Sequence, residues 1–387
     1  MNNFIYLDSA ATTKPYTFKE INKNHQFFNN EKIWMNPSSL YTHDIKYIID
    51  NTKLRMLEDL VGVHYFHELF FTSGATESNN WILHNIINKY DGSMYIPSII
   101  CSPFEHPSIS SVLKYYEEKG KVRIVYFEVD QKGHVILDSV ESAIQDCEKP
   151  ILVTCMWVNN EIGAIQPVEK IADICEKFKV PFHVDATQAI GKLTDEYIPG
   201  NIDSMSFSGH KFHGPKGIGG LLIRKEFLYE IGPFIIGGHQ QDGYRAGTEN
   251  AEKIRDFYYC FDKSWFESWD SQKHAKIIND YLSLKLKETF KEDDYIINST
   301  DFEIPIMSIS FKNISGEYIV KELAKENIFI SNGSACSTGD LSVSDTIQAI
   351  KVSDEYKEGT IRISFDRNIG YNHIDILIEK IFQIFSN

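Results

Sequence analysis

The sequence predicts an α/β protein, with a mainly parallel sheet covered by helices on both faces and followed by a smaller α+β domain. Three observations carry this. Short apolar, β-rich runs recur between residues 68 and 224: ELFFTSG (68–74), PILVTCMWV (150–158), PFHVDA (181–186) and GIGGLLIR (217–224). Segments with helical spacing lie among them, as in VEKIADICEKFK (168–179), where Val168, Ile171, Ala172 and Cys175 fall on one face. Strands that alternate with amphipathic helices need crossover connections, which set the strands parallel and the helices on the faces. After about residue 255 the pattern changes: DYLSLKLKETFKEDDYIIN, IPIMSISFK, GEYIVKELAKENIFIS and GTIRISFDR read as helices mixed with more amphipathic strands.

Bulk properties narrow the function. A chain of 387 residues is long enough for two or three domains at roughly 150 residues each. A hydrophobic content of 42% provides a sizeable core. The net charge of −15, from 39 basic and 54 acidic residues, argues against a generic nucleic-acid binder, which needs a cationic face. MNNFIYLDSAATT has no positive n-region and no apolar h-region, so no secretory signal is expected, and no apolar run approaches the ~18 residues of a membrane span. Six cysteines without CxxC or regular spacing read as reduced thiols, and the expected location is the cytoplasm. No metal site is expected.

An anion site is a candidate at FFTSGATESNNWILH (70–84), where an apolar strand runs through Ser73, Gly74, Ala75 and Thr76 into a helix. Exposed N–H groups and the helix dipole attract anions at such a start. The plainer reading is a capped helix, with Ser73 as the cap and Glu77 in the first turn. Neither GxGxxG after a strand nor GxxxxGK[ST] occurs, which disfavours nucleotides and leaves room for another phosphate-bearing cofactor.

PFHVDATQAIG ends an apolar strand on Asp185, with Gln188 three residues on. Ligands of open α/β sheets sit at the carboxyl ends of strands. An aspartate there suits a protonated ring nitrogen, although capping the following helix is the commoner use. Lys211 lies 26 residues downstream in SFSGHKFHGPKG (206–217), between His210 and His213, where no apolar period runs and glycines permit close approach. A lysine to bond an aldehyde, an acid to keep a pyridine protonated and an anion site for a phosphate are together what pyridoxal 5'-phosphate needs. Desolvation helps such a lysine to lose its proton.

The motifs FTSGATESNN, EHPSI, VNNEIGAIQP, HVDATQ, SFSGHKFHGPKG, RAGTEN and SNGSACSTG, in this order, resemble those of the cysteine desulfurases, fold-type-I pyridoxal-phosphate enzymes of the class V aminotransferase family that serve iron–sulfur cluster and thio-cofactor assembly. The resemblance runs from YLDSAATT to IRISFDR. It implies a large domain over 15–256 with a mainly parallel seven-stranded sheet, and a small domain from 1–14 and 257–387 that carries a catalytic-cysteine loop. It implies that Lys211 holds the cofactor covalently and moves the Cα proton of the substrate. Asp185 would pair with the pyridinium nitrogen and Gln188 with the ring hydroxyl. His106 would lie over the ring and relay protons. Ala75, Thr76, Ser208 and His210 would hold the phosphate, joined by Thr248 from the partner subunit of a homodimer. Asn160 and Arg362 would hold the substrate carboxylate. Without the resemblance, His106 reads as a satisfied structural histidine, and Arg362, between Ile361 and Ile363, as a residue on the solvent face of a strand.

Cys336 decides the reaction. Cys101, Cys147, Cys155, Cys175 and Cys260 sit in or beside apolar or helical patterns and read as inert thiols. Cys336 lies in a polar loop of small residues, NGSACSTGD, with Gly333 and Gly339 as candidate hinges. With a free thiol pKa of roughly 8.5, little thiolate exists at neutral pH, so a proton acceptor is needed, and His106 is the candidate. The implied course is attack of Cys336 on the sulfur of L-cysteine, which leaves a persulfide on the loop and releases alanine. A mobile loop then carries the persulfide to an acceptor protein: a cluster scaffold, a tRNA-thiolation protein, a thio-cofactor enzyme or DNA phosphorothioation machinery.

The sequence departs from the family pattern at Ser9, where Asn is expected, at His239 (Gly), Gln241 (Glu) and Asp242 (Arg), and at Phe365-Asp366 (Leu-Gly). Two other readings stay open. One is a different pyridoxal-phosphate enzyme on this scaffold, such as a selenocysteine lyase or an aminotransferase, which would not need Cys336. The other is a non-catalytic partner subunit in a sulfur-transfer complex, which would not need the Lys211, Asp185 and His106 set.

Overall fold

A computed structural model describes residues 4–17, 32–62, 66–193, 198–333 and 343–385. Its first strand is β1 (Ile5–Tyr6). The central sheet has seven strands: β2 (His67–Thr72), β3 (Ser98–Cys101), β4 (Arg123–Tyr126), β5 (Pro150–Met156), β6 (Phe182–Asp185), β7 (Ser204–Ser208) and β8 (Gly219–Arg224), in the order β2-β8-β7-β6-β5-β3-β4. Only β8 is antiparallel to its neighbours, so the sheet is mainly parallel, as expected. β5 is buried along nearly its whole length, which is why it reads as a continuous apolar run rather than an alternating one.

Among the described residues, seven helices sandwich this sheet: α1 (His43–Val61), α2 (Ala75–Lys89), α3 (Pro107–Glu118), α4 (Leu137–Asp146), α5 (Val168–Phe178), α6 (Lys225–Ile231) and α7 (Ala251–Phe266). Residues of α1, α4, α5 and α7 build one core with one face of the sheet. Trp81, Ile86, Leu113 and Phe227 of α2, α3 and α6 build a second core on the other face. The crossovers that make the strands parallel thus bury both faces.

A separate core forms from Leu7, Leu282, Ile309, Phe311, Ile363 and Ile374 with their neighbours. It joins helices α8 (Ser268–Thr289), α9 (Gly316–Lys325) and α10 (Tyr371–Phe385) to an antiparallel sheet of β9 (Tyr295–Ile297), β10 (Ile306–Phe311) and β12 (Thr360–Ser364). β1 pairs in parallel with β11 (Ile328–Phe329), so residues 5–6 associate with this second unit. The boundary expected at 256/257 falls inside α7. Phe257, Phe261 and Trp265 of that helix all pack on the large-sheet core, and the change of core comes at Glu267, between α7 and α8.

One departure from the family pattern has a direct physical reason. β2 is an edge strand, with outward backbone groups to satisfy. The Gln241 amide accepts from Phe71 N (2.7 Å) and donates to Phe71 O (2.8 Å). Only an amide can do both; a glutamate there would leave the carbonyl without its donor. Among the described residues no helix is long and apolar enough to cross a membrane.

Candidate active site

The register sets Asp185 beside Met156 of β5 and Ser206 of β7, so three carboxyl ends open side by side. A cavity of about 550 Å³ lies over them. Its wall brings together Ala75, Thr76, His106, Asn160, Asp185, Gln188, Ser208, His210, Lys211 and Arg362. These were singled out from segments spread over nearly 290 positions. Thr248 is exposed and does not line the cavity of its own chain. Cys336 lies outside the described residues.

Asp185 is held from two sides. Its Oδ2 accepts from Asn79 Nδ2 (2.9 Å) and its Oδ1 from Thr187 N (3.0 Å). Asn79 Oδ1 meets His183 Nε2 (2.9 Å), and His183 Nδ1 meets Ser204 Oγ (2.8 Å). Burial pushes His183 down to about 4, so this ring is neutral at pH 7. Asn79 Nδ2 also donates to Ser108 Oγ (2.8 Å), which lies 2.9 Å from His106 Nδ1. One connected, buried polar network therefore orients both the acid and the histidine.

His106 is the N-cap of α3, and its Nδ1 accepts from Ser108 N at 3.1 Å. A backbone N–H only donates, so the lone pair is on Nδ1 and the neutral ring carries its hydrogen on Nε2. Burial lowers the pKa of His106; Asp185 opposes this and Lys211 adds to it. The structural reading and the functional one therefore coexist: Nδ1 caps the helix, and the side chain lines the cavity.

Lys211 ends a 3-10 turn, Gly209–Lys211, that follows β7 directly. Its Nζ donates to Ala10 O (2.7 Å) and Ala11 O (2.8 Å). At the other end of the cavity, α2 starts without a side-chain cap, so the plainer reading of Ser73 does not hold. Glu77 is drawn aside instead: it accepts from Ser73 N and from Arg245 Nε, both at 2.8 Å. Ser208 Oγ receives Ala75 N at 3.2 Å, and a Cβ at Gly74 would come within 3.1 Å of that oxygen. Burial, then the charges of Lys211, Lys216 and Lys192, push His210 down to about 4. An uncapped helix start beside the hydroxyls of Thr76 and Ser208 fits a phosphate. The donor-held carboxylate of Asp185 and the amine of Lys211 fit the ring nitrogen and aldehyde of pyridoxal phosphate.

Arg362 corrects the reading of β12 as half solvated. It is 1% exposed, with its guanidinium taken up by Asp8 and the Asn160 carbonyl. Its Nη2 pairs with Asp8 Oδ1 (2.8 Å) and its Nη1 donates to Asn160 O (2.9 Å). Its Nε is buried without a partner among the described residues. A desolvated donor in a cavity wall suits a ligand carboxylate. Asn160 touches Arg362 through its backbone carbonyl.

The five described cysteines are poor nucleophiles. Burial pushes Cys101, Cys155 and Cys175 well above the ordinary thiol range, Cys260 to about 12, and Cys147 upward as well.

Several site residues escaped the sequence reading. Asn79, Ser108, Lys192 and Glu161 carry no local signal. Glu105 precedes His106 and is fully buried; burial pushes its carboxyl up to about 8, against the hydrogen bonds from Ser102 Oγ and Met156 N.

The chain resembles known proteins along nearly its whole length. A profile of the aminotransferase class-V family matches residues 5–377. A cysteine desulfurase of Gluconacetobacter diazotrophicus is 32% identical over 379 residues, 97% of this chain and 92% of that protein. The cysteine desulfurase IscS of Serratia proteamaculans is 32% identical over 381 residues, covering 97% and 91% of the two chains. A solved NifS-like protein superposes with a TM-score of 0.85 at 31% identity, over 99% of this chain and 100% of that one. The chain belongs to the aminotransferase class-V family and, within it, to the pyridoxal-phosphate-dependent cysteine desulfurases.

Proposed function

We propose that this chain moves the sulfur of L-cysteine onto Cys336, releases L-alanine, and passes the persulfide to an acceptor protein. The observation that carries this is the single cavity in which Lys211, Asp185, the start of α2 and the buried Nε of Arg362 converge. The step balances: the substrate C–S bond breaks, an S–S bond forms on Cys336, and the thiol hydrogen of Cys336 is replaced by the transferred SH while the substrate carbon gains a hydrogen. Bound pyridoxal phosphate supplies an electron sink that weakens bonds to the substrate Cα. Asp185, steadied by Asn79 and Thr187, would hold its ring nitrogen; Gln188 would meet its hydroxyl; Ala75, Thr76, Ser208 and His210 would hold its phosphate. Arg362, with Asn160, would fix the substrate carboxylate. Lys211 would hold the cofactor covalently and move the Cα proton. His106 would relay protons in this site, including that of the Cys336 thiol, for which Nε2 must be free of its hydrogen. Incubation with L-cysteine should yield alanine and enzyme-bound sulfur in equal amounts during the first turnover. Pyruvate and ammonia, or a transaminated cofactor, in place of alanine would overturn this reading.

Three finer features belong to the same reading. The division into a large unit and a small one, expected with 15–256 in the large unit and 1–14 and 257–387 in the small one, is supported by the two cores, with α7 packing wholly on the large-sheet side. The acceptor is a cluster scaffold or a thiolation enzyme, and the setting is the cytoplasm. The enzyme acts as a two-fold homodimer in which exposed Thr248 completes the phosphate site of the partner. Sedimentation at assay concentration should show a dimer; a fully active monomer would refute it.

A further inference from the structure

Lys192 is a buried cation that the reaction as described does not use. It is 8% exposed, and among the described residues no carboxylate pairs with it. Its Nζ donates to Gln188 Oε1 at 3.0 Å and to Lys211 O at 3.0 Å. Packing alone does not select such a group, because an apolar side chain of that length fills the space without the desolvation penalty. An ammonium has donors only, so the oxygen of the Gln188 amide must face Lys192 and the nitrogen must face away. That nitrogen donates to Ala10 O at 2.8 Å, and the same carbonyl receives Lys211 Nζ at 2.7 Å. The circuit closes: Lys192 to Gln188, Gln188 to Ala10, Ala10 to the Lys211 amine, and the Lys211 carbonyl back to Lys192. Gln188 also lines the cofactor cavity, and its NH2 has a second hydrogen.

We propose that Lys192 is a positioning residue of this site: its ammonium pins the Gln188 amide with the NH2 side toward the cofactor cavity and braces the turn that carries Lys211. This rests on reading Lys211 and Gln188 as the cofactor-holding pair. Burial, then the Lys211 charge, lower Lys192 to about 7, so the ammonium form that closes the circuit is fully present only below that pH. His106 and Asp185 face Lys211 from the cavity, and His210 and His213 flank the two amines from the turn. Beyond Lys192 lies a second cavity of about 300 Å³. Lys14, His274 and Asp366 line it, as do Lys263 and Arg367, both of which pair with Glu267. The charges nearest to Lys192 thus include no dedicated counter-ion among the described residues, and its own protonation responds to Lys211.

The test uses the full-length protein loaded with pyridoxal phosphate, and reads cofactor dissociation and the pH midpoint of the visible absorbance band. Lys192→Met should weaken cofactor binding roughly ten-fold, the order expected for one charge-assisted hydrogen bond. It should also raise the pH midpoint, because the repelling charge is gone. Lys192→Arg should restore both to near wild type. In a Gln188→Ala background, Lys192→Met should change affinity less than it does in the wild type, since part of its effect passes through Gln188. If the methionine variant does not fold, Lys192→Gln carries the pH measurement, and its midpoint must rise too. A Lys192→Met protein with unchanged affinity and midpoint, or independent multiplying effects of Lys192→Met and Gln188→Ala, would overturn the proposal and leave the functional reading intact. A wild-type protein that does not bond pyridoxal phosphate through Lys211 would overturn both.

Discussion

Replacing Lys211 by alanine is expected to abolish turnover and the covalent hold on pyridoxal phosphate while leaving the fold in place. The amine donates to the carbonyls of Ala10 and Ala11, and losing those two bonds costs on the order of 1–3 kcal/mol. The chemical loss is larger. The group that carries the proton between carbon atoms contributes roughly 100- to 10,000-fold on its own, and the covalent attachment of the cofactor goes with it. Circular dichroism should stay native, the visible cofactor band should vanish, and alanine production should fall below detection. Borohydride reduction of the wild type followed by peptide mapping should place the pyridoxyl group on Lys211. The competing positions are close: Lys192 donates to the Lys211 carbonyl, and Lys216 follows in the same loop. A label on either of them would remove Lys211 from its role, whatever the activity of the alanine variant.

In the central sheet, the strands legible in the sequence were β2, β5, β6 and β8. β3, β4 and β7 escaped, for different reasons. β3 and β4 are four residues each, no longer than β6, but no acidic residue such as Asp185 stands at their ends. β7, SMSFS, alternates serine with Met205 and Phe207, a pattern that reads as half solvated. All five residues are buried, and the serines serve the polar network: Ser204 meets His183 and Ser208 receives Ala75 N. Arg362 misled for the same reason. Alternation separates the two faces of a strand, but it does not say whether the polar face meets water or a site.

Asp185 and Lys211 were legible because each sits where regular structure stops, at a strand end and in a glycine-rich turn. Asn79, Ser108 and Lys192 were not, because a polar residue on a helix or turn looks like a solvated face until another element covers it. Asn79 and Asn80 are adjacent and identical in type, yet Asn79 is fully buried against Asp185 and His183 while Asn80 is only half-buried and bonds within its own helix and to Ser108 O. Only the packing of α2 on β6 and β7 tells them apart.

Cys336→Ser should separate sulfur transfer from everything that precedes it. The substitution keeps size and polarity but removes the soft, easily ionised nucleophile. On the proposed reading, the steps before sulfur transfer rest on Lys211, His106, Asp185 and Arg362, so the variant should bind cofactor as wild type does and should still show a spectral change with L-cysteine. Alanine and sulfide should fall at least about a thousand-fold, the order lost when a catalytic nucleophile is removed. The other thiols offer no substitute. Cys101, Cys155 and Cys175 are buried and held far from ionisation, Cys260 stands near 12, and Cys147 lines a shallow cavity on the far side of β3 and β4 rather than this site. Mass spectrometry of the wild type after brief exposure to L-cysteine should therefore find one added sulfur, on the peptide that contains Cys336. Alanine formed by Cys336→Ser at the wild-type rate, or the added sulfur found on Cys101 or Cys155, would rule out attack by Cys336 and make transamination or direct elimination the reaction of this cavity.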